Sequence, residues 1–445
     1  MLTRRMSRSD LPDGPNNTIL DRLRFIHRPR KYYAWLRRRF GDLVTLRLGP
    51  TTIVMTLSSE GARRVFGADP EGFGAFQKAA FGGIAGQESL WVLEGERHRC
   101  ERRLLSPPFH TSRVRGYGKA MQEIALQYTD RWQPGQYIRA YDDMLDVSRD
   151  IALRIVLGIE DQAFLDEGRK VLAKLLHRVH PWIAFNEQFQ SWWFPPWAQF
   201  RTARREFSTF VARYLELRRA RGNDAQDLMD LMLAARYEDG SSMRDDAIRD
   251  ELLTILLAGH ETTAVALAWA IYELARHPTV LRRLREELDA VEPDPGLIVK
   301  QPYLGAVCDE TIRLHTILTE MARTTRQPFE VLGYTIPTGT GIGVGISAIH
   351  QDASIYPEPD RFLPERFIDR AYSPFEFLPF GGSHRRCLGA AFSDYEMRIT
   401  LAAVVTRWEF EAAGNEREVR HNIAMGPGYG VRLRVKRRRG RDRAD

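Results

Sequence analysis

The chain reads as a mainly α-helical protein with small β-sheets at its margins. Three observations carry that reading. From Ser58 onward apolar residues recur at helical spacing through most of the sequence. Alternation of apolar and polar residues bounded by turn signals occurs only at Asp42 to Leu57, Glu330 to Ile346 and Val431 to Val435. No strand–helix–strand alternation, internal repeat or long linker divides the 445 residues, so one unit over 1–445 is expected, although the length alone would allow two or three.

In chain order, residues 1–17 read as a loose arm broken at Pro12 and Gly14-Pro15. Met1 to Gly14 is polar and basic, so neither a signal peptide nor an N-terminal anchor is predicted. Leu20 to Phe40 reads as an arginine-rich helix, and Asp42 to Leu57 as a hairpin around Gly49-Pro50. In the basic stretch Gly95 to Arg103, His98 and Arg102 stand one helical turn apart and can address a single acceptor. Arg97, Arg99 and Arg103 suit a solvated face. Pro181 to Phe200 holds Trp182, Phe185, Phe189, Trp192, Trp193, Phe194, Trp197 and Phe200, a density more often core than cofactor box.

The longest predicted helix runs from about Asp246 to Arg276, stopped by His277-Pro278, with Ser242 and Asp245 as a capping pair before it. At 1.5 Å per residue it spans roughly 45 Å, enough to cross a domain. Leu252 to Leu257 and Ala264 to Ile271 are apolar on every face, which predicts burial. A membrane span is disfavoured by Gly259, His260, Glu261, Thr262 and Thr263 in its middle. A glycine and a carboxylate cost a purely structural helix stability, so this interruption points to function. Further on, Glu310 and Arg313 are spaced as a helical ion pair after Pro302, and Pro364-Glu365-Arg366-Phe367 follows.

Phe380-Gly381-Gly382-Ser383-His384-Arg385-Arg386-Cys387-Leu388-Gly389 organises the rest. Leu388, Ala391, Phe392, Tyr395, Ile399 and Ala402 recur at helical spacing, placing Cys387 at or just before a helix N-terminus. Backbone N–H groups and the helix dipole there favour a thiolate. The glycines admit a flat partner, Arg385 and Arg386 add positive charge, and Phe380 adds an aromatic wall. The pattern suits a thiolate presented to an anionic, planar cofactor. The chain closes in a basic tail over 436–445.

Hydrophobic content of 43% with 28% charged residues describes a globular protein. Cys100, Cys308 and Cys387 are too few and scattered for disulfides or zinc, which points to a reducing cytoplasm. Net charge is +7, but no nucleic-acid motif accompanies the basic clusters, and an acidic protein partner accounts for them equally well.

The cysteine stretch resembles the ligand loop of the cytochrome P450 family, Phe-x-x-Gly-x-Arg-x-Cys-x-Gly, at Phe380, Arg385, Cys387 and Gly389. It departs at Ser383, where the family usually has glycine. Ala258-Gly259-His260-Glu261-Thr262-Thr263 resembles the family's oxygen-binding Ala-Gly-x-Asp/Glu-Thr-Thr. Glu310-Thr311-Ile312-Arg313 resembles Glu-x-x-Arg, which pairs with the arginine of Pro364 to Phe367; Thr316 stands where a proline often follows Leu-His.

The resemblance implies a triangular helical prism with a β-rich side and haem b held between the long helix and the cysteine loop. Cys387 would ligate the iron, and His98, Arg102, Arg323 and Arg385 would hold the propionates, with Phe380 and Gly389 completing the cofactor site. Gly259 would leave room for dioxygen, Thr262 would hydrogen-bond it and Glu261 would relay protons. The aromatic stretch would roof the substrate cavity. The implied activity is insertion of one oxygen atom from O2 into an apolar terpenoid, fatty acid, steroid or polyketide, with electrons from a ferredoxin or flavodoxin and its reductase. A peroxide-driven or desaturating enzyme and a non-catalytic haem sensor remain open at this point, though Glu261-Thr262 argues against a sensor. No nucleic-acid partner and no transmembrane anchor are expected.

Overall fold

The structure is a computed structural model that describes residues 11–16, 18–48, 51–185, 187–221 and 227–439. The arginine-rich segment forms two helices rather than the expected one, α1 (Ile19–His27) and a second from Pro29 to Phe40. Pro29 cannot donate within a helix, so it opens a new one at its first position. Thr18 and Asp21 cap α1 reciprocally. The helices that frame the site are α2 (Gly95–Leu105), α3 (Ala140–Ile151), α4 (Asp245–Arg276), α5 (Pro302–Leu314) and α6 (Ala390–Arg407).

α4 crosses the centre, packed against α3, α5 and α6. Its residues Ala264 to Ile271 are all buried, in one cluster with Met144, Val147, Val404 and Leu401. Among the described residues it is the one helix long and apolar enough to cross a membrane, and 67% of its most apolar window is buried within the protein. The segment before it, where Ser242 and Asp245 are expected as a capping pair, forms no helix, and Ser242 bridges to Arg236 instead. The N-cap of α4 is Arg244, without a side-chain bond. Asp245 and Asp246 in the first turn complement the dipole instead, and Asp246 Oδ1 accepts the Ala247 N–H at 2.9 Å.

Five strands form the main sheet: β1 (Leu43–Leu48), β2 (Thr51–Thr56), β3 (Phe73–Ala75), β4 (Met321–Thr325) and β5 (Gly341–Val344), in the order β1-β2-β5-β4-β3. The expected hairpin is present as β1 and β2, with Val44 opposite Met55; its turn, Gly49-Pro50, lies outside the described residues. β2 and β5 are parallel, and β4 lies between β5 and β3, which sets Arg323 beside Ile342 and Ala75. Three small sheets sit at the margins; in one of them Arg432–Arg438 pairs with Tyr137–Arg139 and Trp408–Ala412.

Both ends differ from the expected arm and tail where they are described. Thr45 holds residues 12 and 13 against β1, donating from its N–H to the Asp13 carbonyl at 3.1 Å and from Oγ1 to the Pro12 carbonyl at 2.6 Å. Residues 1–10 and 17 lie outside the described set. Lys436 to Arg438 continue the last strand, opposite Trp408 and Glu409, because the ladder extends past Val435 through a bulge. Residues 440–445 lie outside.

Behind the cysteine loop, Glu310 and Arg313 are fully buried, and Arg366 reaches Glu310 at 3.1 Å. Thr316 shows what replaces the missing proline. Its hydroxyl donates to the Arg313 carbonyl at 3.0 Å and meets His350 Nδ1 at 3.0 Å. His350 Nε2 accepts the Leu378 N–H at 3.2 Å, so this network assigns the proton to Nδ1. Burial, with the Arg313 charge beside it, pushes His350 down to about 3 and keeps it neutral.

His315 lies flat on Trp269, ring centroids 3.9 Å apart, with Nε2 2.7 Å from Glu273 and Nδ1 3.3 Å from Glu418. Burial opposes its charge, but bonds to the two carboxylates prevail and raise it above the ordinary histidine value. Burial likewise opposes Glu273, and bonds to His277 and His315 hold it down at about 2. A raised histidine stabilises the fold below its unfolded value, near pH 6.5, and loses that contribution as pH rises through the folded one. A depressed carboxylate stabilises it above its unfolded value, near 4.5, and loses that as pH falls. The cluster therefore contributes most between about pH 4.5 and 6.5. Glu273→Gln is expected to lower Tm more at pH 6 than at pH 9; equal losses would contradict the assignment.

Candidate functional site

A cavity of about 1560 Å³ lies between α4 and the cysteine loop, walled also by β4, β5, α2 and the start of α6. Cys387 opens onto it, three residues before Ala390. The Cys387 N–H donates to the Phe380 carbonyl at 2.9 Å, closing the turn, and Phe380 packs on the core. Gly381 has φ +67°, and a Cβ there would meet the Met321 sulfur at 2.2 Å. Dense surroundings push the Cys387 thiol up, against the expectation that its position alone favours a thiolate. The Gly389 N–H and the Arg102 and Arg386 charges offset that only in part. Among the described residues, a Cβ added at Gly389 or Gly259 would meet no heavy atom of another segment within 4 Å, which leaves a gap on both faces of the cavity.

Ser383 occupies the left-handed region at φ +64°, where the family pattern has glycine. Its hydroxyl meets His384 Nδ1 at 3.3 Å, partial compensation for the strain. Ser383→Gly is expected to raise unfolding stability by about 1 kcal/mol, read from denaturant midpoints. A loss would show that the serine bond outweighs the backbone cost.

One end of the cavity is ringed by three arginines and a neutral histidine. His98 and Arg102 project from α2 toward the loop, as their spacing predicts, and Arg102 Nη2 donates to the Arg386 carbonyl at 2.7 Å. Arg385 donates to the Leu90 and Trp91 carbonyls at 3.2 and 3.4 Å. Arg323, 4% exposed, donates from Nη2 to the Gly382 carbonyl at 3.2 Å, while its buried Nη1 has no hydrogen-bond partner among the described residues. Burial and then neighbouring cations push His98 down to about 3 and His384 to about 4. Burial and Arg385 push Arg323 down to about 10. Such mutual depression, with an orphaned guanidinium N–H, is the signature of a site built for an anion.

Across the cavity, the middle of α4 divides its residues by direction. Gly259 and Thr262 face the cavity; Thr262 Oγ1 donates to the Ala258 carbonyl at 2.8 Å, which leaves its oxygen open to accept. Glu261 turns away to α3 and the C-terminal region, accepting from Tyr141 at 3.3 Å and Asn422 at 2.9 Å. His260 meets the Leu145 carbonyl at 3.0 Å and is pushed down to about 3 by burial, then by Arg149. Thr263 meets Ser393 on α6 at 3.0 Å. Each polar residue that interrupts the apolar helix has a defined neighbour.

Several residues around the site carry no signal in the sequence. Tyr141 and Asn422 are distant in the chain from Glu261, and no local pattern links them. Glu396, fully buried, accepts from Ser148 and is pushed up to about 8 by burial, so it stands neutral in the wall. His384 lies inside the loop pattern itself; its T-shaped contact with His98, centroids 5.5 Å apart, was unforeseen. The aromatic stretch splits. Trp197 and Phe200 are core and Trp182 lines the cavity, while Phe185 has no described side chain. Of the other cysteines, Cys308 is buried and Cys100 donates to Glu96 at 3.4 Å; neither lines the cavity.

The sequence profile described as Cytochrome P450 matches residues 12–429. The chain belongs to the cytochrome P450 family. It is 35% identical over 439 residues to putative cytochrome P450 138 of Mycobacterium tuberculosis H37Rv, covering 96% of this chain and 95% of that protein. It is 32% identical over 442 residues to putative cytochrome P450 135B1 of the same strain, covering 96% and 91%. Among solved structures, retinoic acid-bound cyanobacterial CYP120A1 superposes with a TM-score of 0.85 at 22% identity, covering 96% of this chain and 99% of that one. The haem domain of cytochrome P450DA gives 0.84 at 22% identity, covering 97% and 98%. The P450 fold, haem as cofactor and haem-thiolate monooxygenase chemistry in general follow for this chain. The gap between Gly259 and Gly389, the open Cys387 and the orphaned Arg323 N–H fit a flat cofactor with an anionic edge.

Proposed function

We propose that this cytochrome P450 inserts one oxygen atom from O2 into an apolar small molecule of the terpenoid, fatty acid, steroid or polyketide kind. The supporting observation is the placement of Cys387 and Thr262 on opposite walls of one cavity whose end is ringed by His98, Arg102, Arg323 and Arg385. In this reading Cys387 ligates the iron, and His98, Arg102, Arg323 and Arg385, with Phe380 and Gly389, hold the porphyrin. Haem, when bound, supplies the redox chemistry that activates oxygen. The protein supplies binding, orientation and protons. Gly259 keeps space free, and the Thr262 hydroxyl orients a proton donor in the cavity. Glu261, held on the outer side by Tyr141 and Asn422, is the reservoir from which that donor is recharged. Apolar residues such as Ile255, Leu256, Ile317 and Phe392 keep the substrate region dry.

Electrons come, in the same reading, from a ferredoxin or flavodoxin with its reductase. Arg386 is exposed within the cysteine loop, whereas Arg99 and Arg103 are already paired with Glu71, Glu96 and Glu238, so Arg386 is the stronger candidate contact. All three cysteines are free, in keeping with a cytoplasmic location.

Thr262→Ala is expected to leave haem binding and first reduction unchanged, because neither needs a proton at that atom. The ratio of hydroxylated product to reductant consumed should fall on the order of tenfold, with peroxide rising to match. An unchanged ratio would transfer the role to another group.

A further inference from the structure

One carboxylic acid in the cavity wall is not used by the oxidation chemistry. Glu251, Ile255, Ala258 and Thr262 follow one another along α4 at steps of four, three and four residues, and all line the cavity. The Glu251 side chain therefore faces the same space as Thr262. Eleven residues at 1.5 Å each separate the two by about 16 Å along the helix axis. Glu251 is fully buried, and neither of its carboxyl oxygens has a hydrogen-bond partner among the described residues. The other acids of the wall are provided for. Glu320 accepts from Tyr33 and Thr319, Glu396 accepts from Ser148, Asp394 is paired with Arg398, and Glu187 is exposed.

The neighbours of Glu251 in the helix already fasten the segment that crosses it. Asp250 accepts the Glu88 N–H at 3.2 Å, and Thr254 Oγ1 meets Ser89 Oγ at 2.7 Å. From α2 a second buried acid comes close. Glu101 accepts from Tyr237 on one oxygen, and its other oxygen has no partner among the described residues. Arg97 and Arg244 act on Glu101 from outside, where both are paired with Glu88. Burial first, and then the Glu101 charge, push the Glu251 carboxyl well above its ordinary value, and the Leu90 backbone beside it offsets this only in part. Two neighbouring acids thus call for one positive hydrogen donor, and Glu251 is the one that lines the cavity.

We propose that Glu251 receives a protonated amine of the substrate, whose apolar body runs from there along α4 toward Thr262 and Cys387. Folding has already taken this carboxyl out of water, so an entering ammonium gains a charge-assisted hydrogen bond without adding that cost for the acid. The carboxyl proton leaves to solvent as the ammonium takes its place. Phe81 and Trp91, ring centroids 5.7 Å apart, line the same cavity and offer aromatic surface to a cation. A hydroxyl head would make a neutral bond, roughly half as strong. A free carboxylate would meet like charge from both acids. The inference rests on the reading of the cavity as a site for an apolar substrate and narrows it, favouring a basic nitrogen at one end over a free fatty acid.

The test titrates haem-loaded full-length protein with N,N-dimethyldodecylamine, 1-dodecanol and dodecanoate, which share a twelve-carbon chain and differ in the head. The change of the haem from low to high spin reports binding, and the direction of the Soret shift separates it from ligation of the iron by the amine. At about 3.5 Å for every three bonds of an extended chain, these probes span most of the distance from Glu251 to Thr262. The amine should bind roughly tenfold more tightly than the alcohol, and dodecanoate more weakly than either. Glu251→Gln should lower amine affinity roughly tenfold and leave alcohol affinity within about twofold, while Glu251→Asp keeps part of the preference. The absorption spectrum of the reduced carbon monoxide complex verifies that each variant is folded. Equal affinity for amine and alcohol in wild type overturns the proposal. So does a preference that survives in Glu251→Gln, which would assign the amine to another acid such as Glu320 or Glu187. An equal loss of amine and alcohol affinity in Glu251→Gln also overturns it, leaving Glu251 a structural part of the wall. A spin change with all three probes but no amine preference leaves the apolar-substrate reading standing, whereas no spin change with any of them removes both.

Discussion

Cys387→Ala is expected to abolish the strongly red-shifted Soret band that thiolate-ligated haem shows when reduced and bound to carbon monoxide, whereas Cys100→Ala and Cys308→Ala should keep it. Of the three cysteines, only Cys387 borders the cavity. Cys308 is buried in the core, where burial pushes its thiol far above the ordinary value and no ligand can reach it. Cys100 spends its proton on Glu96. The Cys387 thiol is itself pushed up by its surroundings, so the polypeptide alone does not hold a free thiolate there. A metal ligand must be deprotonated, and the metal displaces the proton. Loading of haem should therefore release a proton in wild type that is missing in Cys387→Ala, a difference measurable in weakly buffered solution. Retention of the band in Cys387→Ala would remove the foundation of the site; its loss in a folded Cys308→Ala would do the same.

Much of this arrangement could be read from the sequence because it is written in local patterns. The long helix declares itself by uninterrupted apolar spacing, and its start is displaced by only one residue from the expected Asp246. The spacing of His98 and Arg102 sends both side chains to one side of α2, and the structure brings them to the cysteine loop with Arg323 and Arg385. What stayed hidden depends on contacts between distant segments. β3 and the strand Tyr137–Arg139 are three-residue pieces with no alternation long enough to detect. Their existence follows from the neighbours they pair with, Met321–Thr325 and Arg432–Arg438. The partners of Glu261 likewise come from α3 and from Asn422. The join at Pro29 is marked in the sequence by the breaker itself, but continuous basic composition on either side conceals it. The substitution of threonine for proline at 316 shows the converse, an irregular residue whose reason emerges only when His350 is seen beside it.

The largest expected effect on stability belongs to Arg313. It is fully buried, as is Glu310, and its guanidinium is used on every side. Nε and Nη2 donate to the two Glu310 oxygens at 2.6 and 2.9 Å, and Nη1 donates to the His350 and Pro359 carbonyls at 2.8 and 2.9 Å. Nη2 also reaches the Arg361 carbonyl at 3.3 Å, and the cation lies 5.0 Å from the centre of the Tyr356 ring. Glu310 in turn accepts the Leu363 N–H at 2.9 Å and Arg366 at 3.1 Å. The irregular segment 357–366, which leads into the cysteine loop, thus has the Pro359 and Arg361 carbonyls and the Leu363 N–H satisfied by this pair rather than by regular secondary structure. Arg313→Ala removes those donors and leaves a buried carboxylate with only Arg366 to balance it. Breaking a buried pair in this way costs about 3–5 kcal/mol, a large share of the ordinary 5–15 kcal/mol of a folded domain. Arg313→Lys is expected to recover little of the loss, since a single ammonium cannot make the paired bonds to Glu310 and still reach the carbonyls of 350, 359 and 361. Glu310→Gln with Arg313→Met should cost less than Arg313→Ala, because it leaves no unpaired buried charge. Guanidinium unfolding midpoints, with the yield of haem-loaded protein as a second reading, measure all three. A loss below about 1 kcal/mol for Arg313→Ala, or full rescue by lysine, would show that the segment is held by its packing and not by this arginine.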